Sequence, residues 1–209
     1  EPKLLAKLPG KITSTTGMDA LTHAVEAYTN KFQTRKTRRK AKAAVSTIFA
    51  YLKKSFDEPN VLEYRNKMQI AAYDAGVAFT RGYVGYVHAI AHTLGGFYGV
   101  PHGLANAIIL PHVLGYFGPA VYRRLAELAD EVGIVTNENT QLAKAEAFIN
   151  AIKELNASMA IPEQFDNVIK EEDIELMIDR AMKEAHPLYP VPAFFDRNDF
   201  RKLYHLIQK

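Results

Sequence analysis

Residues Tyr83 to Leu114 read YVGYVHAIAHTLGGFYGVPHGLANAIILPHVL, and the near absence of a polar face in this stretch decides the fold class. A helix that is hydrophobic almost all round belongs in the middle of a bundle rather than across its surface. Gly95, Gly96, Gly99 and Pro101 are placed to break the helix and turn the chain back on itself. The polar residues left in the stretch then need explaining. His88, His92, His102, Asn106 and His112 would each cost about 1–3 kcal/mol if buried unpaired.

Working outward, helical periodicity continues on both sides and strand-like alternation is scarce. GMDALTHAVEAY, Gly17 to Tyr28, reads as helix, and so does Arg35 to Phe56, which stops before the turn cluster Asp57-Glu58-Pro59-Asn60. Asn60 is the expected N-cap of a long helix running to Arg81-Gly82. Pro119 to Val132 forms a further amphipathic helix ended by Gly133, and Gln141 to Leu155 another. Glu171 to Ala185 carries an acidic first turn, His186 to Phe195 (HPLYPVPAFF) is too proline-rich for a helix or a central strand, and Asn198 or Asp199 caps a short final helix. With no internal repeat or low-complexity linker, the expectation is an all-α multi-helix bundle, with residues 1–209 as a single helical domain.

Composition narrows the function classes. A chain of 209 residues that is 48% hydrophobic can close a substantial core. It has no apolar run of the roughly 18 residues a membrane span needs, which argues against a membrane partner. A net charge of +3 is too mild for a nucleic-acid binder. Without cysteine there is neither a disulfide framework nor a thiolate metal site, which suits a reducing compartment, the cytoplasm by default. One local run departs from this balance: Lys31, Arg35, Lys36, Arg38, Arg39, Lys40 and Lys42 occur without an acid among them. It reads as a solvated helix face, or else as the acid-binding surface of a non-catalytic interaction module.

Chemistry concentrates in two places. Asp19 precedes His23 by four residues, so both side chains leave one helical face a turn apart, and His88 and His92 repeat the spacing. Asp19 alone could be a first-turn acid near Ser14, Thr15 and Thr16. Three imidazoles in so apolar a segment are harder to satisfy by packing, and a divalent metal held by Asp19, His23, His88 and His102 accounts for them economically. Neutral imidazoles with one carboxylate suit iron(II), zinc, cobalt or nickel. Glu26, three positions after His23, is either an outer hydrogen-bond partner of that imidazole or an exposed ion-pair member. His112 reads as a structural hydrogen-bonding residue, and His186 and His205 as surface residues. Val84, Val87, Phe97 and Tyr98 are candidates to line a substrate pocket.

GMDALTHAVEAY and VHAIAHTLGGFYGVPHG, with fainter likeness through LANAIILPHVLGYF, resemble the signature motifs of the iron-containing (group III, metal-dependent) alcohol dehydrogenases. The resemblance implies the fold of that superfamily's C-terminal helical metal domain, shared with dehydroquinate synthase-like proteins. It implies Asp19, His23, His88 and His102 as ligands of Fe2+, with Zn2+ next, the metal acting as Lewis acid on an alcohol or carbonyl oxygen during hydride transfer. It also implies a proton-relay or substrate-orienting role for His92, whose competing reading is a core hydrogen bond. No phosphate-cradling glycine loop or alternating strand and helix pattern is present for NAD or NADP. The chain is therefore expected to be the metal-binding part of a larger enzyme, whose N-terminal nucleotide-binding α/β domain is absent and without which it is inactive. Its partners would be that domain and a small alcohol or aldehyde, and a homo-oligomer is compatible with the sequence. Glycerol dehydrogenase-like or dehydroquinate synthase-like activities are the alternatives within the superfamily.

Overall fold

The computed structural model describes residues 1–209. Nine α-helices follow one another: α1 (Gly10–Thr29), α2 (Arg35–Asp57), α3 (Leu62–Gly82), α4 (Tyr86–Tyr98), α5 (His102–Phe117), α6 (Pro119–Glu131), α7 (Gln141–Ser158), α8 (Ile174–Ala185) and α9 (Arg197–Leu206). Short 3-10 turns at Pro2–Leu5 and Glu171–Asp173 complete the elements. There is no β-sheet, only an isolated bridge between Phe165 and Gln208, so the all-α expectation is met. No helix is long and apolar enough to cross a membrane.

One core of 51 buried apolar residues draws on every helix, so none is an appendage. The central element is α1, packed against α2, α3 and α5 and touching α6. Its burial is unusual for a helix so rich in hydroxyls, and local bonding explains it. Thr15 donates to the Lys11 carbonyl, Thr22 to that of Met18 and Thr29 to that of Val25, so the buried hydroxyls are satisfied within their own helix. The same bonding corrects a boundary: the Ser14 to Thr16 cluster lies inside α1 rather than at its start.

The Tyr83–Leu114 stretch forms two buried helices. Gly99, left-handed at φ 65°, ends α4, and after Pro101 the chain enters α5. Where α5 crosses α1, a β-carbon on Gly103 would stand 2.4 Å from the Thr15 carbonyl oxygen. Only glycine permits this approach, and it sets His102 beside α1. Pro111 lies inside α5 and cannot donate to the carbonyl of Ala107. The Asn156 side chain on α7 does so instead, at 2.7 Å.

Other ends also differ from expectation. Val61 rather than Asn60 caps α3, and makes no side-chain capping bond. The cap of α9 is Asp196, in a reciprocal capping box with Asp199. At α2, Thr34 accepts from the Thr37 N–H, and the Thr37 hydroxyl accepts from the Thr34 N–H. This capping box partly offsets the unfavourable position of the basic run at the positive helix end.

Candidate metal centre

The α1 C-terminus is fastened to the loop leading into α4 by Asn30, whose side-chain amide donates to the carbonyls of Gly82 (2.9 Å) and Val84 (3.0 Å). This brings Glu26, one turn earlier, under the first turn of α4. Gly85 offers α4 no side-chain cap. Glu26 serves from outside, its Oε1 accepting the Val87 N–H at 2.8 Å, as suits an anion at the positive end of a helix. The other oxygen, Oε2, lies 2.6 Å from His88 Nδ1. Glu26 is therefore neither the partner of His23 nor an exposed ion-pair member: it is buried and His88 takes it.

With Nδ1–H engaged by Glu26, the His88 imidazole turns its Nε2 towards α1 and α5. Asp19 Oδ1 stands 3.6 Å from His88 Nε2, 3.3 Å from His102 Nε2 and 3.8 Å from His23 Nδ1. The donor atoms of Asp19, His23 and His88 all fall within 4.8 Å of one another. Those three come from two helices, and His102, on α5, reaches the group through Asp19, 3.3 Å away, rather than as a fourth member of the mutually spaced set. Donors about 2.0–2.2 Å from a common tetrahedral centre stand about 3.3–3.6 Å apart, a range that holds the Asp19 spacings to His88 and His102 and that the spacing to His23 slightly exceeds.

Electrostatics favour a positive charge at this point. His88 is 2% exposed. Burial alone would lower its pKa, but hydrogen bonds to Asp19 and Glu26 and their charges push it up to about 9. Burial would raise the Asp19 carboxyl, yet bonds to His102 and His88 and the nearby imidazoles hold it well below the usual carboxylate range. His23 goes the other way, down to about 4, through burial first and the neighbouring His88 second. Its ring stacks on Phe79, with centroids 4.3 Å apart. Asn106 donates its amide into the same point.

His92, one turn beyond His88, lies beside this cluster, its ring stacked on His102 at 5.2 Å between centroids. It is not a core residue: its side chain is 45% exposed and faces a cleft of about 560 Å³ that Gly96, Phe97, Arg180 and Glu184 also line. His92 Nδ1 meets Glu184 Oε1 at 2.8 Å, and the Tyr189 hydroxyl donates to the same oxygen at 2.7 Å. Burial opposes ionisation of Glu184, but these two bonds outweigh it and hold its carboxyl below the ordinary value. Sequence reading missed Glu184 and Tyr189, which lie more than ninety residues from His92 in a stretch without a metal or catalytic motif.

Of the expected pocket residues, Phe97 lines the cleft. Val87 is core, the Val84 carbonyl accepts from Asn30, and the Tyr98 hydroxyl donates to Asp173. His112 is structural as expected, bonded to the Glu163 carbonyl at 2.9 Å. His205 is exposed and pairs with Glu171. His186 is not a free surface residue: it is half-buried and meets the Tyr86 hydroxyl at 2.6 Å, among Phe194, Phe200 and Tyr86.

The model of the C-terminal part of the Fe-containing alcohol dehydrogenase family matches residues 13–207. This chain belongs to that family. Alcohol dehydrogenase 4 of Schizosaccharomyces pombe is 39% identical over 197 residues, covering 91% of this chain and 45% of that protein. The 1,3-propanediol dehydrogenase of Citrobacter freundii is 39% identical over 187 residues, 89% of this chain and 48% of its own length. Among solved structures, a 1,3-propanediol oxidoreductase superposes with a TM-score of 0.94 at 35% identity, covering 99% of this chain and 54% of that one. The chain thus spans about half the length of the iron-containing alcohol dehydrogenases it matches.

Proposed function

We propose that this chain is the metal-holding, catalytic half of an NAD(P)-dependent alcohol dehydrogenase acting on small alcohols and aldehydes. Asp19, His23, His88 and His102 would hold a divalent cation, iron(II) first and zinc next, that supplies Lewis-acid polarisation of the substrate oxygen. The observation that carries this reading is the approach of Asp19 Oδ1 to within 3.3–3.8 Å of three imidazole nitrogens.

The chain's own residues supply the rest. Glu26 fixes the His88 tautomer that leaves Nε2 free to ligate. His92, exposed to the cleft and anchored through Nδ1 by Glu184, keeps Nε2 for a proton at the substrate oxygen, with Tyr189 steadying the carboxylate. Phe97 offers apolar surface against which substrate can exclude water. The nicotinamide comes from the half that the relatives possess beyond the matched region, so this chain alone should not turn over alcohol.

Elemental analysis tests the reading. One equivalent of transition metal per chain is expected, lost on His88→Ala or His102→Ala, with alcohol oxidation appearing only when a nucleotide-binding half is supplied. Chains that purify without metal, take none up and bind polyanions through the Lys31–Lys42 run would favour the interaction-module reading. Preference for glycerol in the reassembled enzyme would move it to another branch of the superfamily.

A further inference from the structure

We propose that Asn106 is a positioning residue of the metal centre, whose amide holds the Asp19 carboxylate in its ligating attitude and keeps the donor atoms gathered. This rests on the reading of Asp19, His23, His88 and His102 as metal ligands, and adds a fifth residue that is not a ligand.

Asn106 lies one turn after His102 on α5 and is fully buried. Its Nδ2 stands 2.6 Å from Asp19 Oδ1, 3.0 Å from His102 Nε2 and 3.2 Å from His88 Nε2. An amide nitrogen carries two hydrogens, and the Asp19 oxygen is the nearest atom that they face. At the other end, Oδ1 is buried with no partner. Turning the amide over would aim that oxygen at the Asp19 carboxylate 2.6 Å away, so this contact imposes the inward N–H orientation.

Asn156 also leaves its oxygen unpaired, but gives its amide to a helix carbonyl. Asn106 instead commits its nitrogen wholly to the ligand atoms. Because the amide is neutral, it draws Asp19 towards the imidazoles without adding a charge that a cation would have to displace. Once a cation holds the imidazole lone pairs, Asp19 is the acceptor left to the amide. The Asn106 side chain should therefore sense metal arrival directly.

The test uses the 209-residue chain with Zn2+ and Co2+ as probes. Asn106→Ala should still take up one equivalent of Zn2+, with an affinity about 10- to 100-fold weaker in competition with a chelator. The visible spectrum of its Co2+ form should differ from wild type, because Asp19 is no longer pinned. In the 15N-labelled wild-type chain, the Asn106 side-chain amide resonances should move when Zn2+ is added. Equal Zn2+ affinity with identical Co2+ spectra, or amide resonances unmoved by one equivalent of bound Zn2+, would overturn the proposal. If Asn106→Ala does not fold, the wild-type amide measurement decides alone. A wild-type chain that takes up neither ion defeats the metal reading itself, an outcome told apart because it does not depend on residue 106.

Discussion

Glu26 serves two neighbours with one carboxylate, and the two duties can be separated. Oε1 caps α4 through the Val87 N–H while Oε2 receives the His88 Nδ1–H. Glu26→Gln can keep the cap, since the amide oxygen still accepts from Val87. Its NH2 then faces Nδ1, which favours the tautomer with hydrogen on Nε2, where a ligating lone pair is needed. The expected result is a loss of about 10- to 100-fold in Zn2+ affinity, and the melting temperature of the chelator-treated chain also falls because the buried His88 loses its charged partner. Glu26→Ala should lose the same affinity and also about 1 kcal/mol from the lost cap. Zinc titration with thermal denaturation of both variants checks this, and wild-type zinc affinity in Glu26→Gln would remove the orienting role.

Helix α5 contains a proline in its interior and remains one helix because α7 replaces the missing donor. Asn156 is 4% exposed, and its amide bonds the Ala107 carbonyl that Pro111 leaves free. Asn156→Ala should therefore destabilise by about 1–3 kcal/mol. Pro111→Ala should recover part of that loss in the double variant, because an N–H at 111 can reach the same carbonyl. A double-mutant cycle in urea should give a coupling of about 1 kcal/mol, and strict additivity would show that the two residues do not share the acceptor. Helix identities were legible because the apolar periodicity of α2, α6 and α8 is strong, and the all-round burial of α4 and α5 is written in their composition. The helix ends were less so: Ser14, Thr15 and Thr16 look like caps, yet they bond backward within α1. Asp19, His23, His88 and His102 could be singled out by spacing and by family motif. The partners of His88 and His92 could not, since Glu26 reaches its imidazole because Asn30 fastens the α1 end to the loop before α4, and Glu184 through the packing of α8 on α4.

At the scale of the whole molecule, the response to acid depends on imidazoles scattered through the fold. Burial lowers the pKa of His112 and of His186, and holds His23 down at about 4 together with the charge of His88. Each is neutral in the folded chain under conditions where the unfolded chain, titrating near 6.5, has already taken a proton. The unfolded state binds more protons, so stability falls as pH drops below about 6.5. His88, pushed up to about 9, is already protonated in the folded chain, so it opposes this fall only slightly just below pH 6.5. Below about 4.5 a second loss begins, as the unfolded carboxylates take protons that Glu127, Glu163 and Asp199 refuse in the folded state. Glu163 is largely exposed and counts for little. The chelator-treated chain should therefore lose several degrees of melting temperature between pH 6.5 and 5, since 1 kcal/mol is worth about 2–4 °C in a chain of this size. His112→Gln can keep an N–H for the Glu163 carbonyl but cannot titrate, so its melting temperature should fall less steeply over the same interval. Calorimetry across the pH series measures both slopes, and a wild-type melting temperature that is flat or rising towards pH 5 would mean that these imidazoles are not held neutral by burial.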